Sequence, residues 1–172
     1  MATTIIRPDA ISSDSGFDQT GANLLSRIND NDTSTSVVNN VTTGEFSVSF
    51  DNDSAYSGAT INNIVVSVSG NTINSKVSSA TLDLVLRDDG GTIQELALSF
   101  TPTFSTESGA AYSTNLTPSV VDALILNGAV ETAGFVLKEV FITVDYTAAV
   151  VTTPFVGMKS GKYKIVSGKI KI

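Results

Sequence analysis

"ATLDLVLRDDGGTIQELALSFT", residues 80–101, is the stretch on which the fold turns. Leu82, Leu84 and Leu86 alternate with Thr81, Asp83 and Val85. A period of two sends every second side chain to the same face of an extended strand. Asp88, Asp89, Gly90 and Gly91 interrupt the pattern, and glycine accepts the positive φ that a tight hairpin turn needs. Beyond the turn, Leu96, Leu98 and Phe100 resume the alternation. The stretch predicts an antiparallel hairpin with one face buried and the other wet.

The same period recurs on both sides of it. "FSVSF" (46–50) aligns Phe46, Val48 and Phe50 against serines, and "NIVVSVSG" (63–70) aligns Ile64, Val66 and Val68. "LKEVFITVDYT" (137–147) is the longest run, with Val140, Ile142, Val144 and Tyr146 on one side. These residues are the predicted core. Helical signals are brief. "GANLLSRI" (21–28) predicts a short helical turn burying Leu24, Leu25 and Ile28, and "NDNDTSTS" (29–36) reads as loop. In "LTPSVVDALILNG" (116–128), Thr117 can cap, Pro118 suits the first helical position, and Gly128 is placed past the helix end, with Val120, Val121 and Leu124 facing inward. About eight strands and one or two short helices predict an all-β fold, an antiparallel jelly-roll β-sandwich. It would occupy residues 21–147, with an N-terminal arm at 1–20 and a lysine-rich β arm at 148–172.

Composition agrees with strands and turns. Ser, Thr and Asn supply 55 of 172 residues, while charged residues are only 16%. Thr and Val suit pleated strands, and Asn and Ser suit turns. The chain has no cysteine and no histidine, so disulfides, thiolate metal sites and Ser-His-Asp catalysis are excluded. The opening "MATTIIRPDAISS" shows no apolar stretch after a basic one, so no signal peptide is expected. No apolar run approaches the ~20 residues of a membrane helix. Four Asn-x-Ser/Thr triplets, at Asn31, Asn40, Asn52 and Asn115, are what chance produces in such a composition.

Charge is unevenly spread. Residues 1–145 carry five basic and seventeen acidic residues, a balance of −12, yet the chain closes on "KSGKYKIVSGKIKI" (159–172) with five lysines. The closing segment repeats itself, "KSGKYKI" then "VSGKIKI". With each Ser-Gly read as a two-residue turn, Tyr163, Ile165, Ile170 and Ile172 fall on one side with Val156 and Met158. Lys159, Lys162, Lys164, Lys169 and Lys171 fall on the other. A small sheet with one apolar face is marginal alone. These residues therefore predict a protein-interaction segment that packs within the subunit or on a neighbour. Edge protection by lysine and binding to a polyanion are the weaker readings. Nucleic acid is not expected, because the lysine segment has one aromatic residue, Tyr163, and no arginine to read bases.

Chemistry is sparse. Asp30 with Asp32, Asp51 with Asp53, and Asp88 with Asp89 are the acidic clusters, and from both Asp30 and Asp51 the glycine and the glutamate of a calcium loop are absent. They read as turn carboxylates, so no metal, no cofactor and no catalytic residue is predicted. There is no Trp; Tyr56 and Tyr112, in polar Gly- and Ser-containing segments, are read as exposed and are the candidate sugar contacts.

Three segments carry a family resemblance. Asn29 to Thr33, Leu116 to Leu124 and Val140 to Thr147 resemble the entry loop, helical turn and final long strand of jelly-roll domains in structural proteins of tailed bacteriophages. The resemblance spans roughly residues 22–147. It implies a non-enzymatic virion protein, foremost a capsid decoration (cement) protein. Its implied partners are the major capsid protein, other virion proteins and further copies of itself, as in a trimer, with no membrane. The alternative it carries is a carbohydrate-binding jelly-roll module of a phage tail or fibre.

Overall fold

The computed structural model describes residues 1–18, 24–39, 41–50, 54–73, 77–89 and 91–149. The lysine segment and its side chains (Lys159, Lys162, Tyr163, Lys164, Ile165, Lys169, Ile170, Lys171, Ile172) lie outside the described residues. In chain order the elements are β1 (Ala2–Ile6), β2 (Pro8–Ser15), β3 (Phe17–Asp18), α1 (Leu24–Ile28), β4 (Val37–Asn39), β5 (Gly44–Phe50), a 3-10 turn (Ser54–Tyr56), β6 (Thr60–Thr72), β7 (Ala80–Asp88), β8 (Gly91–Phe100), β9 (Ser105–Ser108), α2 (Pro118–Asp122), β10 (Ile125–Val130) and β11 (Phe135–Thr147).

The strands make two antiparallel sheets. The first runs β3-β4-β11-β6-β9, and β1 pairs with the far end of β11. The second runs β2-β5-β10-β7-β8. Their inner faces close on one core, as the period-two pattern predicts. Leu82, Leu84, Leu86, Phe46, Val48, Phe50, Ile64, Val66, Val68, Leu98, Phe100, Val140, Ile142 and Val144 are all buried. Asp83 on the intervening register is exposed, so the frame of the opening hairpin is right. Its pairing, Leu82↔Leu98 and Leu84↔Leu96, stacks leucine on leucine across the sheet. Aromatic edges close the ends, with Phe100 5.1 Å from Phe135 and Phe17 6.1 Å from Phe46 between ring centres. Leu96 and Tyr146 are the exceptions in the predicted core: both are only half-buried, Leu96 because β8 is the last strand of its sheet.

Three expectations are corrected. The described part of the predicted 1–20 arm, residues 1–18, does not stand outside the sandwich: β1 pairs with β11 and β2 with β5, so this segment supplies strands to both sheets. Most of its side chains are exposed on both faces, which erases the alternation that betrays a strand. Gly128 does not end a helix. α2 starts as predicted, with the Val120 amide donating to Thr117 Oγ1 at 3.2 Å and Pro118 at its first turn, but it ends at Asp122. Gly128 lies in mid-β10, opposite Phe46, where a β-carbon would come within 2.3 Å of the phenyl ring. Finally, eleven strands appear among the described residues rather than about eight, the additions being short or polar. The α1 turn buries Leu24 and Ile28 as predicted, with Leu25 partly covered. Among the described residues no helix is long and apolar enough to cross a membrane.

Candidate functional site

At the end of the sandwich where β7 turns into β8, an open hollow of about 210 Å³ separates the two sheets. Asp88, Gly91, Thr92 and Ile93 line one lip; Tyr112, Thr114, Asn115 and Val120 line the other. Local structure explains how each lip is held. Tyr112 and Ile64 exchange both backbone hydrogen bonds, each at 2.9 Å, which makes Tyr112 a one-residue extension of the first sheet beside β6. Directly paired residues project to the same face. Ile64 faces the core, so the Tyr112 ring is turned toward the gap between sheets and is half-buried there.

Further ties fix the spacing of the lips. The Gly109 amide donates to the Val66 carbonyl at 3.0 Å, and a β-carbon at 109 would meet the Leu96 side chain at 2.6 Å. Gln94 Nε2 donates to the Ala110 carbonyl at 3.0 Å, joining β8 to the opposite lip. The Gln94 Oε1 is buried and has no hydrogen-bond partner among the described residues. Asn115 takes a left-handed φ of 53°, a conformation asparagine tolerates, and turns the chain toward the Thr117 cap of α2.

The lining is one aromatic ring among hydroxyls, an amide and a carboxylate. Such a set stacks against an apolar ring face and hydrogen-bonds to hydroxyls at its edge. The hollow is smaller than the ~300–1,000 Å³ of sites that enclose a drug-sized ligand. It suits one small polar unit, or the edge of a longer chain.

Tyr56 is not a second platform. It is 1% exposed, its ring packs edge-on against Tyr146 at 6.4 Å, and its hydroxyl donates to Asp122 Oδ1 at 2.8 Å. The polar letters around it predicted exposure; the 3-10 turn instead drives the ring inward, where the last residue of α2 supplies an acceptor. Nothing in the sequence marks Thr92 and Thr114 among its many threonines, and Asn115 reads there only as one of four chance Asn-x-Ser/Thr triplets. Only their neighbourhood to Tyr112 marks them.

The acidic clusters serve their own loops. Asp30 Oδ1 accepts from the Asp32 amide at 2.9 Å, and Asp32 Oδ1 accepts from the Ser34 amide at 2.8 Å. The Ser34 hydrogen bonds, with a smaller contribution from Lys138, hold the Asp32 carboxyl below its ordinary range. Asp51 and Asp53 lie outside the described residues. Elsewhere, Glu139 is buried on β11 with its Oε1 3.8 Å from Arg7 Nη2, and Arg7 also reaches the Asn31 side chain.

The fold is shared with a carbohydrate-binding module. The chain resembles the C-terminal CBM6 of LamC, a marine laminarinase from Zobellia galactanivorans, with a TM-score of 0.50 at 10% identity, covering 83% of this chain and 98% of that one. It also matches the CBM22-1 xylan-binding domain of Paenibacillus barcinonensis Xyn10C over 62% of this chain and 74% of that one, at 18% identity and a TM-score of 0.34. Against the isomalto-dextranase of Arthrobacter globiformis T6 in complex with panose, at 10% identity and a TM-score of 0.32, it covers 64% of this chain but only 16% of that protein. No family model and no curated protein matches the chain.

Proposed function

We propose that this protein is a non-catalytic carbohydrate-binding module that holds a sugar unit in the hollow beside Tyr112. The observation that carries the reading is the hollow itself, one half-buried aromatic ring set among Asp88, Thr92, Thr114 and Asn115. The fold shared with a carbohydrate-binding module over 83% of this chain supports it. Glycoside hydrolysis asks for a pair of carboxyl groups about 5–9 Å apart. Among the described lining residues Asp88 is the one carboxylate, which fits holding a sugar better than cleaving one. The chain carries a net charge of −7, and no Lys or Arg is among the described lining residues. An uncharged glycan is therefore favoured over a sulfated or uronic one, which like charge would repel.

Affinity electrophoresis of the intact protein through gels cast with a neutral β-glucan, a xylan or a sulfated polysaccharide tests this. Retardation is expected in a neutral gel and should vanish in Tyr112→Ala. Equal mobility of wild type and variant in every gel rejects the hollow as the binding site.

A second reading draws on the charge split between residues 1–145 and the closing lysines. In it the protein is a virion structural protein of decoration type, assembled on the major capsid protein or on copies of itself through complementary charge. Copurification with particles, released by salt, would favour this reading.

A further inference from the structure

The sandwich leaves one long strand edge bare among the described residues. β2, at one side of the second sheet, is guarded by Pro8 and by two register shifts against β5. The outer strands of the first sheet are short, with four residues in β9, two in β3 and five in β1. β8 has ten residues, terminates its sheet, and contains no Pro, Lys or Arg. After one shift near its start, it pairs with β7 in unbroken register from Gln94 to Phe100. Such an edge is a template for another strand.

Its two faces specify what that strand must look like. On the core face Leu96 remains half-buried, while its partner Leu84 on β7 is 1% exposed; a neighbour is missing on the outer side only. On the solvent face Glu95, Ala97 and Ser99 are exposed, and Ala97 pairs with Asp83. Small Ala97 leaves a shallow hollow of about 320 Å³ bounded by Asp83, Val85 and Glu95. The edge therefore asks for a strand that alternates apolar residues, to cover Leu96 and Leu98, with cations, to lie beside Glu95 and Asp83.

The closing residues have that pattern twice, as "KYKI" (162–165) and "KIKI" (169–172). We propose that the lysine repeat of the same chain is the strand that adds to the β8 edge, with Lys on the Glu95 face and Tyr or Ile on the Leu96 face. Reach permits it. The last described residue, Ala149, lies 4.0 Å from the position a β-carbon at Gly58 would take, at the end of the sandwich where β8 begins. Strands are spaced about 4.8 Å apart and sheets about 10 Å, so the β8 edge is within roughly 20 Å of that point. The residues 150–158 can span about 30 Å. A tether of this length presents its segment at roughly millimolar effective concentration, which favours the chain's own repeat over that of another molecule.

The full-length protein tests this in two ways. An equimolar mixture of unlabelled and ¹⁵N-labelled chains is treated with a zero-length carbodiimide, which joins carboxylates to amines. Linked peptides joining Glu95 or Asp83 to Lys162, Lys164, Lys169 or Lys171 are expected, and each pair should carry one isotope only. Mixed-isotope pairs overturn the proposal in favour of exchange between copies, and no linkage to that face overturns it outright. Independently, the amides of β8 should exchange about tenfold faster when Lys162, Lys164, Lys169 and Lys171 are all changed to Glu, while those of β2 stay unchanged. Equal β8 exchange in both proteins also rejects the idea.

Discussion

Tyr56 and Tyr112 sit in segments that read alike, "DNDSAYSGAT" and "SGAAYSTN", yet the fold treats them oppositely. Tyr56 is sealed in the core at 1% exposure; Tyr112 lines an open hollow. The difference is not in the tyrosines or their immediate neighbours. It lies in what the distant chain brings to the phenol. Asp122, 66 residues away, offers Tyr56 an acceptor and Tyr146 offers it a ring edge, so burial costs the hydroxyl nothing. Tyr112 is held through its backbone by Ile64, which fixes the ring beside the gap without closing the gap over it.

The sharpest way to break this comparison is to remove both rings in turn. Tyr56→Ala should cost about 3–5 kcal/mol of stability, as large aromatic truncations in cores do. For a chain of this size that is a fall in Tm of roughly 10 °C. Calorimetry of the variant against Tyr112→Ala checks it. If the two lose equal stability, the contrast between a sealed and an open ring is wrong.

Tyr112→Ala should instead act on binding. A stacked ring that is lost removes about 1–3 kcal/mol, by analogy with aromatic platforms under nucleic-acid bases. That is a fall in glycan affinity of roughly five- to 150-fold, measurable by titration calorimetry, with Tm changed by a few degrees at most. Tyr112→Phe should keep most of the affinity, since the stacking face remains. A variant that loses stability in step with affinity would assign Tyr112 to the core.

Much of the fold was legible for a simple reason. Where one face of a strand is buried and the other wet, as in Phe46–Phe50 or Leu82–Leu86, the letters must alternate. The signal is present even at β10: Leu124, Leu126, Gly128 and Val130 are all buried at a period of two, but a glycine after a leucine-rich run also reads as a helix end. The N-terminal strands carried no such signal, because β2 is mostly exposed along its length and is held by backbone hydrogen bonds that any sequence can make. The hollow was half legible. Its aromatic residue is visible as one of four tyrosines, but the polar groups around it come partly from the distant β7–β8 turn, as Asp88 and Thr92, and partly from Thr114 and Asn115 beside it.

A finer test of the sealed tyrosine removes one atom. Tyr56→Phe keeps the ring contact with Tyr146 and deletes only the donor to Asp122. The expected cost is about 1 kcal/mol, the net worth of one hydrogen bond with its acceptor left partly exposed. Denaturant unfolding should show a lower midpoint at unchanged slope. The double change Tyr56→Phe with Asp122→Ala should then cost less than the sum of the singles, because both remove the same bond.

The smallest effect comes from a third polar segment, the 29–36 loop, where the partner is neither distant nor absent but two residues away. Asp32 accepts from Ser34, and those hydrogen bonds favour its charged form. The folded carboxyl therefore titrates below its ordinary value of 3.8. A depressed acid contributes stability above its unfolded pKa, and that contribution is lost as pH falls through the folded one. Asp32→Asn should thus narrow the difference between wild type and variant only below about pH 4, and leave their relative stability constant from pH 5 to 8. Paired thermal melts across that range measure it, and since the carboxyl is fully exposed the shift should be the smallest of the four. A separation that instead appears between pH 5 and 8 would locate the responsible group elsewhere. The loop would then stand apart from the two tyrosine segments, with its fold set by something other than the carboxylate at its centre.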